Sequence, residues 1–196
     1  MYQNIDFLKR RHEPYVIISS GDCVYKLDFN RVLDFHIEKK SDITVVCKDM
    51  MYNDDVSRFG VVRMDDESRI TEFDEKPIEA SSNTISTGIY VIRRRQLIEL
   101  LEAAAEENRF DFVNDILVRY KNVKKIYGYK INSYWNNIAD IDAYFKTNMD
   151  FLRPRRQKLI SSGRSRPSAQ RWTTCHRPSL IRAQTFQTAS YQVAVS

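Results

Sequence analysis

Four short segments of the chain carry residue types from which a site for a metal ion, a phosphate or another ligand can be built. The first, Ser20-Gly21-Asp22, follows the apolar, β-branched run Tyr15–Ser19. In open α/β sheets ligands collect beyond the carboxyl ends of strands, so a carboxylate there is well placed to hold a metal ion. Asp after Gly is equally a common turn pair, and that reading stays open. The second segment is Glu72-Phe73-Asp74-Glu75-Lys76-Pro77. A lysine beside a proline at a strand end can point a cation at phosphate, although a solvated charge run has the same composition. In the third, Ser86-Thr87-Gly88-Ile89-Tyr90, a hydroxyl and a bare glycine let a ligand approach the backbone. Its plainer reading is a buried strand after a turn. The fourth, Tyr134-Trp135-Asn136-Asn137, is an aromatic pair followed by two amides.

The elements that must position these segments alternate at short intervals. Tyr2–Arg11 reads as a short amphipathic helix ended by Glu13-Pro14, because the residue before proline resists helical geometry. Tyr15–Ser19 and Ile43–Cys47 read as buried strands flanking a helix over Phe29–Lys40. Strand, helix, strand in that order predicts a right-handed crossover and a mainly parallel sheet. Gly60–Met64 and Ile70–Phe73 form a hairpin around the polar turn Asp65-Asp66-Glu67-Ser68. Thr84–Ile92 supplies another strand, and Gln96–Glu106 a helix with Leu97, Leu100, Leu101 and Ala104 on one face. Phe112–Tyr120 reads as a helix and Lys124–Ile131 as a strand. Asp140 then caps a last helix, whose apolar face is Ile141, Tyr144, Phe145, Met149 and Leu152.

Charge divides the chain in two. Of its 31 Lys and Arg and 26 Asp and Glu, nine basic and no acidic residues lie between Arg153 and Ser196. The body, residues 1–152, therefore carries 22 basic against 26 acidic residues, a net charge of −4. The segment 153–196 has no convincing hydrophobic period and reads as a disordered basic tail. A membrane span needs about 20 apolar residues in a row, and the longest apolar runs here are far shorter. The start, Met1-Tyr2-Gln3-Asn4-Ile5-Asp6, lacks the apolar core of a signal peptide. Three cysteines, Cys23, Cys47 and Cys175, sit at spacings that suit neither a disulfide framework nor zinc. A reducing cytoplasm is the expected location.

In their order and context the motifs resemble bacterial glucose-1-phosphate adenylyltransferase, also called ADP-glucose pyrophosphorylase. The likeness runs from Tyr2 to Leu152. It rests on Tyr2-Gln3-Asn4-Ile5-Asp6-Phe7, on Ser20-Gly21-Asp22 followed by Tyr25-Lys26-Leu27-Asp28, and on His36-Ile37-Glu38-Lys39-Lys40. Ser57-Arg58-Phe59-Gly60, Glu75-Lys76-Pro77, Ser86 with Gly88-Ile89-Tyr90, Tyr134-Trp135 and Asn148-Met149-Asp150 continue the series. The resemblance implies an α/β, Rossmann-like nucleotidyltransferase domain that joins ATP and glucose 1-phosphate into ADP-glucose, releasing pyrophosphate, in glycogen biosynthesis. It implies Mg²⁺ held by two aspartates, of which Asp22 is the first. Mg²⁺ suits that role because it prefers hard oxygen ligands and offsets charge on attacking and leaving groups. The resemblance further implies that Lys76 binds the sugar phosphate, and that Glu75, Ser86 and Gly88 belong to the glucose site.

The departures are as informative. Catalytic members carry the second metal aspartate two residues after the tryptophan, where this chain has Asn137. Cys23 stands where they usually have His, and Ala139-Asp140 where they usually have Gly-Thr. That combination is similar to the regulatory-type subunit, glycogen biosynthesis protein GlgD, which pairs with a catalytic subunit in a hetero-oligomer. The Gly-rich phosphate loop that opens the family's domain has no counterpart among the five glycines. The expectation is therefore a truncated fragment: 1–152 as a partial domain lacking its nucleotide part, and 153–196 as a tail that a shifted reading frame would produce. Mg²⁺ is expected to bind weakly or not at all, and the chain alone to be inactive.

Two rival readings remain. One is a catalytically competent adenylyltransferase, disfavoured by Asn137 and the missing loop. The other is a non-specific nucleic-acid binder using Arg153, Arg155, Arg156, Arg164 and Arg166. Against the latter, the body offers no basic stripe, so neither specific nucleic acid nor membrane is an expected partner.

Overall fold

The computed structural model describes residues 1–51 and 54–152, together with the backbone of 184–188 and 191–195. Ten strands and four α-helices are assigned: β1 Tyr15–Ser20, β2 Cys23–Tyr25, β3 Ile43–Asp49, β4 Gly60–Met64, β5 Ile70–Glu75, β6 Thr84–Arg93, β7 Ile126–Lys130, β8 Trp135–Asn137, β9 Gln184–Thr188 and β10 Tyr191–Val195. The helices are α1 Ile5–Lys9, α2 Phe29–Glu38, α3 Arg94–Glu106 and α4 Ile141–Leu152. A 3₁₀ turn, Tyr2–Asn4, precedes α1, and Val113–Val118 is π-helical.

The core follows from alternation along the strands. Val16 and Ile18 of β1 pack with Ile43 and Val45 of β3 and with Leu97, Leu100, Leu101, Ile116 and Leu117 on one face of the sheet. Ile17, Val46, Val91 and Ile89 point to the other face, against Val32 and Leu33 of α2 and Trp135 of β8. Both faces are thus covered, which explains why β1 reads as an unbroken apolar run. Burying each of these aliphatic side chains contributes about 1.5–3 kcal/mol. Asp28 starts α2 by accepting from the Asn30 N–H at 3.0 Å. Arg94 ties α3 to the chain start, donating to the carbonyls of Glu13 at 2.9 Å and Leu8 at 3.1 Å.

The α/β class holds, and the expected strand directions need correction. β6 lies between β1 and β3 and runs antiparallel to both. β1 and β3 therefore point the same way, as the strand–helix–strand order requires, without being hydrogen-bonded neighbours. Among the described residues the one parallel ladder is β3 with β7. β4 pairs antiparallel with β5 and touches β6 at Val61 and Ile85. The sheet is mixed because a long strand returning from the β4–β5 hairpin enters the gap left by the crossover.

The last helix also departs from expectation. Ile141, Tyr144, Phe145 and Leu152 are 85%, 59%, 64% and 67% exposed, so the apolar stripe of α4 faces outward. Its buried residues are polar: the Asn136 side-chain amide donates to Thr147 Oγ1 at 2.5 Å, and Tyr134 OH donates to Asp150 Oδ2 at 3.3 Å. These hydrogen bonds, together with the edge-on contact of Phe151 with Tyr134 at 5.4 Å, fix this helix on the body.

Most of the expected basic tail lies outside the described residues. Of its few described residues, β10 pairs antiparallel with β1 from Val16↔Val195 to Ser20↔Tyr191, and β9 pairs with β10. A strand buried on both faces has backbone groups on two edges to satisfy, and β10 supplies the second edge of β1. Among the described residues no helix is long and apolar enough to cross a membrane.

Candidate functional site

Three of the four segments meet at the carboxyl end of β1, and the fourth, Glu75–Lys76, is joined to them through Phe59 and Trp135. Immediately after β1, β2 pairs antiparallel with β8, matching Cys23 with Asn137, Val24 with Asn136 and Tyr25 with Trp135. The Ile138 N–H donates to the Asp22 carbonyl at 2.8 Å, which continues this small ladder. Residues far apart in sequence thereby share one ribbon, with Asn137 opposite Cys23 and Asp22 one register position away, opposite Ile138. The exposed Asp22 carboxylate accepts from the Ser20 hydroxyl. The Asn137 Oδ1 accepts from the Ala139 N–H at 3.0 Å, as Asn does in a local turn.

This donor set does not match the two-carboxylate metal site implied by the resemblance. One carboxylate is present, the neighbouring side chain is neutral, and its oxygen is engaged by the backbone. Among the described residues there is no group of three or more His, Cys, Asp and Glu placed to hold a metal ion. Burial and then the Asp22 charge push the Cys23 thiol up to about 12.

β6 presents Ser86 and Gly88 to the same place. Gly88 has φ +75°, and a Cβ there would stand 3.0 Å from the Ser20 Cβ, so only glycine sits here without strain. The buried Ser86 Oγ accepts from the Gly88 N–H at 3.4 Å and lies 3.2 Å from the Tyr90 hydroxyl. Tyr90 packs on Phe112, ring centroids 5.2 Å apart, at the entry to the π-helical segment. The next residue back, Asp111, holds that entry by accepting from the Val113 and Asn114 N–H groups at 2.8 and 3.0 Å.

Glu75 and Lys76 end β5 on the flank of this site. Gly60 lies opposite Glu75 in the β4–β5 ladder. A Cβ at Gly60 would come within 2.9 Å of Glu75 Oε2 and of the Phe73 ring, so the bare backbone makes room for the carboxylate. Burial pushes the Glu75 carboxyl above its ordinary range, with Lys76 opposing and Asp111 adding to the shift. Lys76 is exposed, its Nζ 4.0 Å from Glu75 Oε1, and its backbone is left-handed at φ 50° before Pro77. A non-glycine residue held there is strained, a feature common at binding sites. Its N–H donates to the Phe59 carbonyl at 3.2 Å, which holds the turn.

Two contacts join the Glu75–Lys76 flank to the Asp22–Asn137 ribbon. The Phe59 ring meets the Trp135 ring edge-on, centroids 5.6 Å apart, and Arg58 lies 3.7 Å from Asp140. Asp140 also caps α4, accepting from the Ala143 N–H at 2.7 Å. Lys48 steadies the approach to β8 by donating to the Ser133 carbonyl at 3.1 Å. The sequence reading singled out Asp22, Asn137, Glu75, Lys76, Ser86 and Gly88, and it missed Asp111. The signal for Asp111 was an Asp directly before the Phe112 helix, where it reads as a cap; its approach to Glu75 depends on long-range packing.

A family model described as nucleotidyl transferase matches residues 1–153. A glucose-1-phosphate adenylyltransferase of Lachnospira eligens is 35% identical over 153 residues, covering 78% of this chain and 36% of that protein. Proteins of the same name from Bacillus cereus and Clostridium acetobutylicum are each 38% identical, over 156 and 155 residues, covering 78% of this chain and 41% and 40% of their own lengths. The chain thus spans about two fifths of the length of these curated relatives.

Proposed function

The chain belongs to the nucleotidyl transferase family, and from that premise we propose that it is the sugar-phosphate-binding part of a regulatory-type subunit of glucose-1-phosphate adenylyltransferase, without ADP-glucose synthesis of its own. The relatives named above support the choice of substrate class. The observation that carries the regulatory reading is Asn137, neutral and turned onto the Ala139 N–H beside Asp22.

Glu75, Lys76, Ser86 and Gly88 suit the retained half of the task. The Lys76 ammonium is free to swing toward a phosphate dianion, and Glu75 can accept hydrogen bonds from sugar hydroxyls. Ser86 adds a hydroxyl, and the backbone at Gly88 is open to close approach. No reaction step is assigned to a metal ion here, because the residues present supply a single carboxylate to it. The partner in this reading is a catalytic subunit of the same enzyme, which would provide the turnover that this chain lacks.

The test is a direct one on the purified 196-residue chain. Calorimetric titration should detect binding of glucose 1-phosphate, weakened about tenfold or more by Lys76→Ala through loss of a charged partner. Incubation with ATP, glucose 1-phosphate and Mg²⁺ should give no ADP-glucose by chromatography. Synthesis by the unmodified chain would replace this reading with the competent-enzyme one, and failure to bind glucose 1-phosphate would remove the substrate assignment.

A further inference from the structure

The ladder between β6 and β3 is interrupted where β6 passes the site. Ser86 pairs with Cys47 and Tyr90 with Val45, so Thr87, Gly88 and Ile89 stand opposite the single residue Val46. Two extra residues on β6 make a bulge, a device that re-aims side chains at functional sites. Across this bulge the Val46 carbonyl accepts from the Thr87 hydroxyl at 2.9 Å. Thr87 is only 2% exposed, so this bond is shielded from water.

The bulge has a consequence on the opposite edge of β6. Its ladder with β1 ends at Ser19↔Ile89, and beyond that point Gly88 lies against Ser20 with φ +75°. Ser86, on the other side of the bulge, receives the Gly88 N–H on its Oγ. The Thr87 side chain is turned onto β3, and its hydroxyl anchors the stretch of backbone that carries both Ser86 and Gly88.

We propose that Thr87 is a positioning residue: its hydroxyl ties the bulge of β6 to the Val46 carbonyl of β3 and so holds the stretch that carries Ser86 and seats Gly88 against Ser20. The ligand side of this inference rests on the sugar-phosphate reading above. The backbone side does not.

Two variants of the full chain separate these. Thr87→Val keeps shape and β propensity but removes the donor, and Thr87→Ser restores it. The first measurement needs no ligand: the amide chemical shift and hydrogen-exchange rate of Gly88 by NMR. In Thr87→Val the Gly88 amide should shift and exchange about tenfold faster, the size of effect expected from losing one buried hydrogen bond. Thr87→Ser should return both toward the original values. The second measurement is the affinity for glucose 1-phosphate, which should fall about five- to tenfold in Thr87→Val and stay within about twofold in Thr87→Ser. If Thr87→Val leaves the Gly88 shift and exchange unchanged, the positioning role is wrong, whatever the ligand does. If Gly88 responds as described but the unmodified chain binds no glucose 1-phosphate, the positioning role stands and the substrate reading falls. Should Thr87→Val not fold, Thr87→Ala read by the same Gly88 signals decides the question.

Discussion

Gly88 and Ser20 are packed so closely across the β6–β1 edge that a methyl group on Gly88 would sit 3.0 Å from the Ser20 Cβ. The contact joins the one positive-φ glycine of β6 to the residue whose hydroxyl holds Asp22. Gly88→Ala brings both a strained backbone and this collision. It should destabilise the fold by about 1–3 kcal/mol, measured by urea denaturation, and shift the Ser20 and Asp22 amide resonances.

His36 gives the fold a pH dependence. Its Nδ1 lies 2.8 Å from the Thr44 hydroxyl, its ring meets Tyr15 edge-on, and its Nε2 is buried without a hydrogen-bond partner. Burial, and then the Arg93 charge, lower it to about 4 from an ordinary 6.5, with Asp42 opposing. Between those values the unfolded chain takes up a proton that the folded chain refuses. The stability contribution is therefore complete above pH 6.5 and is lost as the pH falls toward 4. About 2 kcal/mol should disappear between pH 7 and pH 5, and His36→Gln should abolish that part of the slope. Equal slopes for the two proteins in urea titrations at both pH values would falsify the assignment.

Asn137→Asp adds a second carboxylate to the ribbon that carries Asp22, one register position away. Isothermal titration with Mg²⁺ should show stronger binding in the variant than in the original chain, by about tenfold, since each hard anionic oxygen adds to affinity for this ion. Without Mg²⁺ the added like charge should cost a few tenths of a kcal/mol, in keeping with exposed pairs. ADP-glucose synthesis should remain absent from the variant chain. Unchanged Mg²⁺ binding would show that the neutral amide is not what separates this site from a metal-binding one.

The exposed stripe on α4 makes an unusual prediction for a helix with a clear apolar face. Phe145→Lys should change stability by no more than about 0.5 kcal/mol, because the ring is 64% exposed. Tyr134→Phe, which removes a hydrogen bond to the buried Asp150, should cost about 1–2 kcal/mol instead. Thermal melts of the two variants check the order; the reverse order would mean that α4 is seated on its apolar side.

Local signals in the sequence determined much of this molecule. Unbroken β-branched runs identify Tyr15–Ser19 and Ile43–Cys47 as buried strands, which the structure extends to Ser20 and Asp49. The Asp65–Ser68 turn is legible because the Asp65 carboxylate accepts from the N–H groups of Glu67 and Arg69, a bond set that the residue types alone suggest. The segments holding Asp22, Glu75, Ser86 and Asn137 were recognisable as motifs for the same reason: type and spacing are properties of the chain. Tertiary structure alone decided what those segments meet. Periodicity says that Ile89–Ile92 is apolar on both faces, but nothing in it tells whether β6 enters the sheet beside β1 in the parallel or the antiparallel sense. It likewise marks the stripe on α4 without saying that Thr147 and Asp150 would be the side pressed onto the body. The approach of Asp111 to Glu75, the edge-on stacking of Phe59 and Trp135, and the Thr87 bond to Val46 all join residues distant in sequence. Such contacts are set by register and strand order, which minimise unsatisfied backbone groups and empty volume over the whole sheet. Composition within any one segment carries no record of that balance.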